Sequence, residues 1–108
     1  MDEDRSRFSA ATELHGDTAT VFAMGELDLA TAPLLASVLA DAIARRDVGN
    51  VSVDLLGVTF ADSTALQILI LAARRARGLG MRFDVCTSSE PVRKLLQVTA
   101  LEGYFSPR

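Results

Sequence analysis

A chain of 108 residues, 49% apolar and 23% charged, is the size of one domain and long enough to bury a core without metal or disulfide support. Its net charge of −3 argues against a nucleic-acid-binding surface, which shows itself as a basic excess. The one cysteine, Cys86, excludes an intramolecular disulfide and a Cys-rich metal site. Its setting in "MRFDVCT" predicts a buried, inert thiol. No apolar run has the length of a membrane span, and the acidic start "MDEDRSRF" is the opposite of a signal peptide, so a cytoplasmic protein is expected.

Residues 1–7 read as a flexible, charged N-terminal tail, and residues 8–108 as a single domain. "FSAATEL" and "TATVFAMGEL" have the composition of two strands, and Gly16-Asp17 between them is a tight-turn signal, so an antiparallel hairpin is predicted. "DLATAPLLASVLADAIARR" predicts the first helix, with Thr31 as its cap and Pro33 in its first turn. Leu34, Leu35, Val38, Leu39, Ala42 and Ile43 fall on one stripe of that helix. Residues 51–56, in "NVSVDLL", form a β-branched strand too apolar to be half exposed, as in a parallel sheet covered by helices. Residues 57–63 then read as a loop. A second helix is predicted over 64–77, closed by Gly78 and Gly80, and a strand over 81–87. "SSEPVRKLLQVTAL" predicts a third helix opened by Ser88 or Ser89, and Tyr104 and Phe105 add an edge strand or pack on the sheet.

This order implies an α/β domain with a mixed, mostly parallel sheet of four to five strands and helices packed on it. In such sheets, sites lie at the C-terminal ends of the parallel strands. Two segments meet there, residues 57–63 and Gly25-Glu26-Leu27-Asp28. The sequence holds no glycine-rich phosphate loop, no Cys/His cluster and no HExxH spacing. His15 falls in the hairpin turn, away from that end, so Ser63 has no base and a catalytic role for it is disfavoured. Asp28 and Asp62 alone are a poor divalent-cation site, and no metal or cofactor is expected. Arg74, Arg75 and Arg77 fall at the end of the second helix, where cations complement the helix dipole.

Asp62-Ser63-Thr64 remains, three polar side chains at the mouth of an apolar helix. Thr64-Ala65-Leu66-Gln67 fits a capping box, which leaves Ser63 just outside the first turn, where a helix N-terminus favours a phosphate. Capping alone also accounts for the trio. On a helical wheel Leu66, Leu69, Ile70, Ala73 and Ala76 share the core stripe, whereas Ile68 and Leu71 point away from it, beside Thr64 and Arg75. An apolar patch next to a serine that can carry a phosphate is what a switchable protein–protein surface requires.

"GELDLATAPLL" and "DLLGVTFADSTAL" resemble the two signature segments of the bacterial STAS-domain anti-sigma factor antagonists, with weaker similarity continuing to "GYF". The resemblance implies a small STAS domain over residues 8–108 that is not itself an enzyme. It implies phosphorylation at Ser63 by a partner that is both anti-sigma factor and serine protein kinase, and dephosphorylation by a PP2C-type phosphatase. The unphosphorylated form would bind the anti-sigma factor and free the sigma factor. Asp28, Asp62 and Thr64 map to the surroundings of the phosphosite, Thr64 as an alternative acceptor, and Ile68 and Leu71 complete the expected partner surface. Two features depart from the family pattern. Ala65 stands where members usually have glycine, which implies a stiffer helix start and a hindered kinase approach. The end at Arg108 leaves little room for a fourth helix. The rival readings are a constitutive STAS adaptor, in a transporter or a stressosome-type scaffold, and a hydrolase acting through Ser63. The expected state is a monomer or weak dimer, with no direct nucleic-acid contact.

Overall fold

The computed structural model describes residues 8–106; the expected tail, residues 1–7, lies outside them. Strands β1 (Phe8–His15) and β2 (Thr18–Leu27) form the antiparallel hairpin, paired along their length from Phe8↔Gly25 to His15↔Thr18. Gly16 takes φ +61°, the left-handed conformation that the first central position of this two-residue connection needs and that glycine adopts without a Cβ penalty. The chain then continues through α1 (Ala32–Ile43), β3 (Asn50–Ala61), α2 (Ser63–Gly78), β4 (Arg82–Ser88), α3 (Glu90–Val98) and a single turn, α4 (Glu102–Phe105).

The sheet has four strands in the order β1-β2-β3-β4, with β2, β3 and β4 parallel and β1 an antiparallel edge. The strand periodicity decides which side is covered. Ala19, Val21 and Ala23 of β2, Val51, Val53 and Leu55 of β3, and Phe83 and Val85 of β4 are buried. The alternating Thr18, Thr20, Phe22, Ser52, Asp54 and Asp84 are only partly so. Helices α1 and α2 lie side by side and send Leu35, Leu39, Ala42 and Ile43, and Leu66, Leu69, Ala73 and Ala76, into the same core.

Several expectations are corrected. β3 does not end at Leu56 but runs on to Ala61, so most of the predicted loop is strand. Gly57 reads as a loop signal in sequence, yet it sits opposite Met24 of β2, whose side chain crosses it. A Cβ at Gly57 would lie 2.8 Å from Met24 Cγ. Leu34, placed on the α1 core stripe, is exposed. Cys86, expected to be buried, is exposed. Strand alternation accounts for this: with Phe83 and Val85 in the buried row, Cys86 falls on the opposite face with Asp84, next to the point where the register jumps from Val53↔Val85 to Asp54↔Thr87. Of the two expectations for Tyr104 and Phe105, the edge strand is replaced by packing: they belong to α4, and Phe105 is among the most completely buried side chains, in the core with Phe83 and Val85 of β4.

Arg77 has a larger role than complementing a helix dipole. Its guanidinium donates to the carbonyl of Phe83 at 2.9 Å and to that of Tyr104 at 2.7 Å, and its Cζ lies 4.6 Å from the Tyr104 ring centre. One cation therefore ties the end of α2 to β4 and to α4. At the end of α3, Ala100 takes φ +60° so that the amides of Ala100 and Leu101 can close on the carbonyls of Gln97 and Leu96, a Schellman motif built on a residue that adopts this conformation at a cost.

Two stability predictions follow from these contacts. Arg77→Ala is expected to lower the unfolding free energy in urea by about 2 kcal/mol, the scale of lost charged hydrogen bonds plus a cation–π contact. Ala100→Gly is expected to raise it by roughly 0.5–1 kcal/mol by relieving the left-handed strain.

Candidate functional site

β4 stops pairing at Leu55↔Ser88, whereas β2 stays paired with β3 as far as Leu27↔Ala61. Residues 56–61 of β3 thus project beyond β4 and carry the start of α2 to one end of the domain. The loop that follows β2 lies beside it, because Leu27 is the register partner of Ala61 and its carbonyl accepts the Asp62 amide at 3.4 Å. The structure therefore brings Asp28, Asp62, Ser63 and Thr64 to one place, at the strand end where an open α/β sheet puts its sites.

Each acid there has a structural task. The Asp28 carboxylate accepts the amides of Ala30 at 3.0 Å and Thr31 at 3.1 Å, and its own amide donates to Thr31 Oγ1 at 3.0 Å. The Thr31 hydroxyl donates to the Glu26 carbonyl at 2.7 Å. Thr31 stands at the N-cap position of α1 as expected, but its side chain makes no capping bond; it locks the preceding turn instead. At α2 the cap is Asp62, whose Oδ1 accepts the Thr64 amide at 2.9 Å and whose carbonyl accepts the Ala65 amide at 3.0 Å. The capping box expected from Thr64 is replaced, since Asp62 is the residue in extended conformation and Thr64 is already helical.

Ser63 is accordingly the first residue of the helix rather than a residue outside it. It is exposed, and its hydroxyl has no hydrogen-bond partner among the described residues. Ala65 is 2% exposed, so its methyl group faces the core and does not stand in front of Ser63. The hindrance expected from this alanine has no basis in the geometry.

Of the two aliphatic residues expected beside Ser63, Leu71 is exposed, but Ile68 is half-buried, packed against the core next to α1. Both line a groove between α1 and α2. Leu71 is eight positions from Ser63, about 12 Å along the helix axis, so it belongs to the flank of the site. Sequence reasoning missed two further exposed apolar groups at this end of the domain. Leu29, in the turn after Asp28, is 76% exposed, and Phe60, three residues before Ser63, is 48% exposed. The signal was available: an aliphatic residue inside a tight polar turn, and an aromatic one just before a helix cap, have no local structural use.

No group of three or more metal-ligating side chains comes together among the described residues. His15 lies at the hairpin end with Glu13 at 3.5 Å, at the opposite end of β2 from Ser63. No helix among the described residues is long and apolar enough to cross a membrane. The Cys86 thiol donates to the Val53 carbonyl at 3.4 Å, and partial burial of the group, then the negative charge of Asp54, raises its pKa.

Three comparisons bear on this arrangement. A protein-family model described as "Mlab, STAS domain" matches residues 10–106. The structure is similar to that of an anti-sigma factor antagonist from Mycobacterium paratuberculosis, with a TM-score of 0.82 and 26% identity over 94% of this chain and 86% of that one. It also shares its fold with the anti-sigma factor antagonist SpoIIAA in its unphosphorylated form, with a TM-score of 0.76 and 21% identity over 89% of this chain and 84% of that one. The Bacillus cell fate determinant SpoIIAA in its phosphorylated form gives 0.71 and 19% over 92% and 89%.

Replacing the cap and replacing the serine should have separable effects. Asp62→Ala is expected to cost about 1 kcal/mol in urea unfolding through loss of the cap, whereas Ser63→Ala should stay within about 0.5 kcal/mol of the parent. The raised pKa lowers the small thiolate fraction of Cys86 at pH 7, so iodoacetamide should alkylate it more slowly in the folded chain than in urea; equal rates would refute the effect.

Proposed function

The chain belongs to the STAS-domain family, and on that premise we propose that it is an anti-sigma factor antagonist switched by phosphorylation of Ser63. The observation that carries the reading is the division of labour at the helix mouth. Asp62 caps α2, which leaves the Ser63 hydroxyl exposed and without a structural bond. The similarity to the Mycobacterium paratuberculosis antagonist supports the same reading.

The unphosphorylated chain binds an anti-sigma factor that is also a serine protein kinase, and so releases a sigma factor. The partner covers the end of the domain built by the Asp28 turn and the start of α2. Leu29 and Phe60 supply apolar contact close to Ser63, and Ile68 and Leu71 supply it along the flank. Asp28 and Asp62 hold the serine in place through the backbone rather than through chemistry of their own. A phosphate on Ser63 adds about −1.5 to −2 charges at a surface that already carries both acids, which repels an acidic partner face or must be desolvated on docking. The helix N-terminus tolerates that charge, so the fold survives while the complex does not. Thr64 is a secondary acceptor, half-buried and one position further into the helix. A PP2C-type phosphatase restores the binding form. The setting is the cytoplasm; ATP belongs to the kinase, and the chain needs no cofactor.

The test is incubation of the purified chain and its Ser63→Ala variant with ATP and the candidate anti-sigma kinases of the same genome, read by intact-mass spectrometry. One added phosphate that vanishes in Ser63→Ala is the expected result. Stable binding to a partner with no phosphate gained would replace the switch with a constitutive adaptor. A phosphate that persists in Ser63→Ala would move the acceptor to Thr64 or elsewhere.

A further inference from the structure

The groove between α1 and α2 is floored by the core residues Leu39 and Ile43 but open to solvent above them, and its electrical character selects an occupant. It has a volume of about 150 Å³. Ala36 and Ala40 from α1 and Ile68, Leu71 and Ala72 from α2 line it, and the small alanines let another backbone approach closely. Leu71 on its wall is 61% exposed. The one charged residue of the lining is Arg75.

Both helices return from the C-terminal ends of parallel strands, so they run parallel and their C-termini lie at the same end of the groove. That end gathers Arg45 and Arg46 after α1 and Arg74 and Arg75 on α2. Arg45 pairs with Asp47 at 3.2 Å, whereas Arg46, Arg74 and Arg75 have no ion pair or hydrogen bond among the described residues. The groove is therefore apolar along its length and basic at one end.

We propose that this groove docks an amphipathic helix of a partner protein, apolar face inward, with acidic side chains at the end that meets Arg75 and its neighbours. A second copy of this chain is a poorer occupant, because the lining of its own groove holds no acid to meet Arg75. The acid nearest on α1, Asp41, belongs to a different depression, with Thr12, Leu14 and Arg45. The inference gives a shape to the partner described above and rests on that reading for the partner's existence.

The test titrates the ¹⁵N-labelled full chain with two synthetic helical peptides that share one leucine-rich face. One carries glutamates in its terminal turn, and the other carries lysines at the same positions. The acidic peptide is expected to shift the amides of Ala36, Ala40, Ile68, Leu71 and Ala72, and to bind at least ~10-fold more tightly than the lysine peptide. Arg75→Glu should erase that preference, and Leu71→Asp should abolish binding while leaving the urea midpoint unchanged. If Leu71→Asp does shift the midpoint, Arg75→Glu decides. Equal binding of the two peptides, shifts confined to another face, or no shifts up to roughly 1 mM peptide would overturn the proposal. So would a self-association of the chain that Leu71→Asp disrupts, since the groove would then hold a second copy. No kinase and no change at Ser63 enters this experiment, so its failure and a failure of the phosphorylation reading are separate results.

Discussion

Past Ser88, β3 has one neighbouring strand instead of two, and the candidate site depends on how that overhang is held. Residues 56–61 would be an unpaired arm if β2 ended level with β4. β2 instead stays paired with β3, through two register shifts, as far as Leu27↔Ala61, and the Leu27 carbonyl takes the Asp62 amide just beyond. That pairing satisfies backbone groups of the overhang and carries the rigidity of the sheet outward. The position of Ser63 at one end of the domain is thus set by strand length and register, not by a mobile loop.

The same pairing brings two Asx-type turns side by side, and it explains why three polar residues stand at the mouth of an apolar helix. Asp28 folds the turn before α1 and Asp62 caps α2, each accepting backbone amides that would otherwise lack partners. Both carboxylates are committed to geometry. The serine between Asp62 and Thr64 is left with an unbonded hydroxyl on a rigid support, at the same end of the domain as the exposed Leu29 and Phe60. A binding surface whose charge changes without loss of fold needs that separation between the residues that hold the backbone and the residue that is modified.

The element types and the parallel sheet were legible in the sequence because hydrophobic periodicity reports which face is covered. The two segments that form the site were legible as well, through the STAS resemblance of "GELDLATAPLL" and "DLLGVTFADSTAL". What escaped was set by tertiary context. Gly57 reads as punctuation unless one knows that Met24 crosses it from the neighbouring strand. Thr64 satisfies a capping pattern, but β3 runs long enough to make Asp62 the last extended residue, and the cap moves with it. Arg77 has the sequence position of a dipole partner, and only the return of α4 gives it two carbonyls and a ring. Ile68 and Leu71 fall together on a helical wheel, which has no means of showing that α1 lies against one of them and not the other.

The most direct measurement is the affinity of a cognate anti-sigma partner for the unmodified chain and for the chain phosphorylated at Ser63, by titration calorimetry, with amide spectra recorded for both forms. The account predicts at least ~10-fold weaker binding of the phosphorylated form, the scale of an ordinary coupling free energy, with spectral changes confined to the surroundings of Ser63. Equal affinity for the two forms, or a phosphorylated chain that has lost its native spectrum, would contradict it.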